Sequence, residues 1–74
     1  MEIYKLIFAK NNLLTCKEVD NDTYSFDGLY HYEHINGVLI YAIVKADSEQ
    51  EALNYIYIIH KEIYEIMFGI DFVN

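Results

Sequence analysis

Ser48-Glu49-Gln50-Glu51-Ala52-Leu53-Asn54-Tyr55-Ile56-Tyr57-Ile58-Ile59-His60-Lys61-Glu62-Ile63-Tyr64-Glu65-Ile66-Met67-Phe68-Gly69 is the stretch that decides the fold. Ser48 reads as an N-cap, and Glu51 three residues on completes an S-x-x-E capping box. Asp47, Glu49 and Glu51 crowd the positive end of the helix dipole. Gly69 suits the left-handed position that ends a helix, with Ile70 placed to fold back over the last turn. The spacing therefore predicts one long helix over 48–68, a rod of about 30 Å.

At 100° per residue, Ala52, Ile56, Ile59, Ile63, Ile66 and Met67 form a central stripe, assigned to the core. Leu53, Tyr57, Tyr64 and Phe68 make a second row on one shoulder, with Tyr55 on the other. Gln50, Asn54, Lys61 and Glu65 mark the polar face. The apolar arc is wider than the stripe of about 100° that a surface helix needs, so part of it calls for cover from elsewhere.

Upstream of this helix the period changes to two. Residues 2–10 alternate as a strand, with Tyr4, Leu6 and Phe8 on one face and Ile3, Lys5, Ile7 and Ala9 on the other. Asn11-Asn12 predicts a tight hairpin turn and 13–19 the returning strand. Asp20-Asn21-Asp22 and Asp27-Gly28 are turn signals, and 23–26 reads as a short strand or an ordered loop. Asn36-Gly37 between 29–35 and 38–46 is the clearest hairpin, a type I′ signal. Val38 to Val44 is almost wholly apolar, as in a central strand covered on both faces. The expectation is a single α+β domain over 1–74, a small antiparallel sheet of three to five strands packed on one long C-terminal helix.

A chain of 74 residues buries a marginal core. With Cys16 as the sole cysteine it has no disulfide to help, and Cys16 reads as a small strand hydrophobe. No apolar run is long enough to span a membrane, and the first residues do not resemble a signal peptide, so the cytoplasm is the expected compartment.

Charge is the outlying bulk property. Twelve acids face five lysines, with no arginine, for a net charge of −7. Residues 1–17 hold one acid against three lysines, a net +2, while 18–74 hold eleven acids against two lysines, a net −9. Glu18, Asp20, Asp22, Asp27 and Glu33 fill a gap that holds no lysine. Such a surface repels phosphate backbones and attracts a basic protein.

The usual signatures of chemistry are missing. The chain has no phosphate-binding glycine loop and no nucleophile elbow, and its three glycines fit turns or the helix cap. His31 and His34 point to opposite faces of one strand, which argues against a shared metal. His60 falls inside the apolar arc, where a core or interface role is the commoner one. Tyr30, Tyr32 and His34 share a face like a base-stacking platform, but the acids around them oppose nucleic acid. No catalytic residue, cofactor or metal is expected.

One fragment, Ile43-Val44-Lys45-Ala46-Asp47-Ser48-Glu49-Gln50-Glu51-Ala52-Leu53, is similar to the strand-to-helix junction of small β-β-β-α modules, among them HicB-type antitoxins. The resemblance covers eleven residues, and the proline- and glycine-containing segment of that pattern is missing ahead of them. It implies a strand running into a capped helix and carries no functional residue across.

The leading expectation is a non-enzymatic, acidic interaction protein that inhibits or regulates a basic nucleic-acid-binding protein, acting as a homodimer. Small phage and mobile-element inhibitors, such as anti-CRISPR proteins and nucleic-acid mimics, share this character. An antitoxin-like β-β-β-α module and a purely structural assembly subunit are the alternatives. The expected partner-binding residues are Leu53, Tyr57, Tyr64 and Phe68 on the helix shoulder, with Glu18, Asp20, Asp22, Asp27 and Glu33 as the acidic surface.

Overall fold

The computed structural model describes residues 1–20 and 26–69. Four strands, β1 (Glu2–Ala9), β2 (Asn12–Val19), β3 (Tyr30–Ile35) and β4 (Val38–Ala46), precede one helix, α1 (Glu49–Phe68). The sheet has the order β2-β1-β4-β3, and every neighbouring pair is antiparallel. Two local hairpins are thus joined through their inner strands, β1 and β4, into one sheet. The α+β class is the one the periodicity predicts.

Both hairpin turns lie at the same end. The Asn36-Gly37 turn has both residues at positive φ, 50° and 88°, as a type I′ turn requires. The first turn sits one residue earlier than Asn11-Asn12. Lys10 and Asn11 carry the positive φ angles, 52° and 67°, and Asn12 already pairs with Ala9. A left-handed lysine is uncommon, and the Asn-Asn pair hid it. The third strand begins at Tyr30 rather than Leu29, although the Leu29 carbonyl still accepts the Lys45 amide at 2.8 Å.

Each hairpin carries a bulge near its turn. In β2 the register slips at Leu14, since Ile7 pairs with Thr15 but Phe8 with Leu13. In β4 it slips at Ile40, since Glu33 pairs with Tyr41 but His34 with Leu39. The extra residue in β4 inverts the alternation, so Leu39 joins Ala42, Val44 and Ala46 on the helix side of the sheet. That inversion explains why 38–44 is apolar without a simple period of two.

Tyr4, Leu6 and Phe8 of β1 and the four β4 residues pack against Ala52, Ile59 and Ile63 of α1. The helix begins beside the end of β4 and runs back towards the turns, where Met67 lies over Gly37. A Cβ on Gly37 would stand 3.4 Å from Met67 Cγ. Ile66 and Met67 share the angular position of the stripe but are exposed, 62% and 43%, which corrects their assignment to the core. The last helical turn has simply run past the sheet.

The outer face of the sheet is covered in part. Ile3 and Ile43 are buried there, paired across the ladder with Lys45 and Lys5. The Lys45 ammonium sits 4.6 Å from the centre of the Phe26 ring and donates to the Phe26 carbonyl at 3.2 Å. Val38 and Ile40 of the same strand remain exposed, so β4 is not sealed on both faces. Phe26 therefore belongs to this outer cluster. Asp22 and the rest of 21–25, together with the tail 70–74, lie outside the described residues.

Candidate functional site

The chain folds so that charge and apolar surface separate along its long axis, which measures 35 Å. At one end stand the start of β1, the end of β2 and the first turn of α1. Ser48 caps the helix, its Oγ accepting the Glu51 amide at 3.2 Å. Glu51 turns back as the capping box predicts, but its carboxylate takes the Asp47 amide at 3.4 Å. Glu18 lies directly across from Tyr4 in the ladder, and Glu2 opens the same strand. Burial pushes the Tyr4 hydroxyl above its ordinary range, and the carboxylates of Glu18, Glu2 and Glu49 push it further. These three acids, from three elements, thus stand at the same end of the molecule. Asp47 and Glu51 extend the group, and the N-terminal amine lies 4.0 Å from Asp47.

Cys16 borders this acidic pole, half-buried on the helix side of β2. Burial raises its thiol pKa and Glu49 adds to the effect, so the thiolate a nucleophile needs is disfavoured.

The expected acidic residues do not form one patch. Glu18 joins the helix start, and Asp20 continues from the same strand end. Glu33 lies on the opposite edge strand and on the outer face, where it pairs with His31 at 3.1 Å. Asp27 is exposed next to Gly28. Glu2 and Glu49, which complete the cluster, were visible only as a strand start and a cap. Only the pairing of β1 with both β2 and β4 brings them to the end where Glu18 stands.

The lysines separate by face. Lys5 and Lys17 oppose each other across the β1–β2 ladder, and Lys45 pairs with Ile3, placing all three on the outer face. His31, in ring contact with Tyr41 and Phe26, is there too, while His34 is on the helix side beside Tyr32.

The opposite end of the molecule is apolar. A groove of about 410 Å³ opens between α1 and the two hairpin turns, with His60, Tyr64, Met67 and Phe68 on one wall and Asn11 and Val38 on the other. His60 is half-buried there, edge-on to Phe8 with ring centres 6.3 Å apart. Tyr64 and Phe68 stack at 4.7 Å. Of the four expected shoulder residues, these two line the groove and Tyr57 is exposed farther back along the helix. Leu53 is half-buried against the core.

A third feature escaped the sequence. The Tyr30 and Tyr32 hydroxyls both donate to the Glu62 carboxylate, the second at 3.1 Å, joining edge strand β3 to α1. The two rings stack at 6.3 Å, and Tyr55 packs on Tyr30 at 5.4 Å. Hydrogen bonding to Glu62, reinforced by burial, pushes Tyr30 up to about 12. Burial, then the same carboxylate, pushes Tyr32 up to about 12. The available signal was that Glu62 stands seven residues after Tyr55 and so shares its shoulder.

Among the described residues, no cluster of histidine, cysteine and acidic side chains is arranged to hold a metal, and no helix is long and apolar enough to cross a membrane. No protein family, curated protein or solved structure matches this chain.

Proposed function

We propose that this chain is a non-enzymatic interaction protein, a small acidic inhibitor or regulator that works by occupying a basic, nucleic-acid-binding protein. The observation that carries this reading is the convergence of Glu2, Glu18 and Glu49 on Tyr4, with Asp47 and Glu51 alongside. Carboxylates from three elements on one rigid end form a fixed anionic surface, the complement of a site built for phosphates. The exposed aromatic row on α1 supports a protein partner, since tyrosine and phenylalanine supply contact area at low entropic cost. In this reading the acids act through their field and not as acid–base groups.

The test is to recover the bound protein from the native host and measure its affinity across a salt series. Affinity should fall steeply with salt, and Glu18→Lys with Glu49→Lys should weaken it by about tenfold or more. Binding that is flat with salt and indifferent to both reversals would remove the electrostatic reading.

A further inference from the structure

We propose that the groove between the end of α1 and the hairpin turns is where a second copy of this chain docks, so that two copies pair end to end about a two-fold axis. Three observations select that occupant. The groove lies beside its own plug: Phe68 on its rim is 65% exposed. A two-fold contact brings the same patch from each copy together, so a projecting side chain beside a hollow becomes self-complementary.

Charge gives the second argument. Each copy carries −7, and among the described residues no carboxylate or ammonium lines the groove. Meeting here keeps the acidic poles at the far ends of a particle roughly twice the 35 Å length of one chain, many Debye lengths apart. Any contact through the helix start would instead press acid on acid. A basic partner, conversely, finds no carboxylate among the described residues of this lining to pair with.

The third argument is composition. Two aromatic rings, a methionine and a histidine form the helical wall, the kinds of residue enriched at the centres of protein interfaces. The consequence for the interaction reading is bivalence, with two acidic poles facing outward, but the contact itself can be tested with the purified chain alone.

Sedimentation equilibrium should give a dimer for the wild-type chain. Phe68→Glu should weaken it by about tenfold or more, with the circular dichroism spectrum unchanged because the ring is largely exposed. On a Cys16→Ser background, Met67→Cys should yield a disulfide-linked dimer under mild oxidation, whereas Glu51→Cys at the acidic pole should not. A strict monomer at the highest soluble concentration overturns the proposal. So does a dimer indifferent to Phe68→Glu, or a monomer whose Phe68→Glu form loses a heterologous partner instead. A dimer that behaves as described but shows no salt-sensitive partner overturns only the basic-target reading.

Discussion

The side-chain oxygen of Asn11 accepts the backbone amide of Leu39 at 2.9 Å, joining the first hairpin turn to the strand beside it. Leu39 lies next to the Ile40 bulge, past the last β1–β4 pair at Ile7 and Tyr41. The ladder has ended, and a side chain takes over its last bond. Asn11→Gly keeps the positive φ tolerable and removes the acceptor. It should cost about 1–3 kcal/mol in urea unfolding, the penalty for leaving a partly buried donor unpaired. Asn11→Asp, which retains the oxygen, should stay close to wild type.

Glu62 accepts from both Tyr30 and Tyr32, so Glu62→Gln weakens two charge-assisted bonds at once. A loss of about 1–2 kcal/mol is expected, since bonds to a charged acceptor exceed neutral ones by roughly that much. Amide exchange should quicken first along β3, which depends on this clamp for its link to the helix.

Alkaline pH attacks the same clamp. Both phenols titrate near 12 in the folded protein against an ordinary value of 10. A raised folded pKa means the folded state holds the proton more tightly. The stabilisation is therefore complete below pH 10 and drains away as pH rises from 10 towards 12. Ultraviolet titration should show Tyr30 and Tyr32 titrating late, as the raised Tyr4 does too. In Glu62→Gln the Tyr30 value should fall back further than that of Tyr32, whose leading cause is burial. Two tyrosines that titrate with the rest would contradict the clamp.

Ile59 and Ile66 occupy similar angles on α1 but differ in fate, one fully buried and the other 62% exposed. Ile59→Ala should cost about 2–5 kcal/mol, a large share of the stability of so small a domain. Ile66→Ala should change stability by less than about 0.5 kcal/mol. Equal losses at the two positions would place the helix end on the sheet after all.

This pair also shows what periodicity can and cannot read. Local signals located the helix, its Ser48 and Gly69 caps and the Asn36-Gly37 turn, because each is set by residues within one or two turns of chain. The angle of a side chain around α1 was legible; its position along the axis relative to the sheet was not. Bulges were equally hidden, since the slip at Ile40 exists only in the pairing of β4 with β3. The candidate site was read by half. Tyr64 and Phe68 were found on the shoulder, yet their meeting with Asn11 and Val38 depends on both turns reaching one end. Glu2, Glu18 and Glu49 come to one end only through the pairing of β1 with both β2 and β4.

The strand order has a kinetic consequence. Each hairpin closes over a short loop, whereas the β1–β4 ladder that joins them pairs Glu2 with Ala46. Closing that span costs more loop entropy than either hairpin, so the topology favours the two local ribbons forming ahead of the ladder that joins them. During synthesis neither ribbon can be sheathed until α1 has emerged, and until then the outer edge of β2 and the apolar run of β4 stand open to other nascent chains.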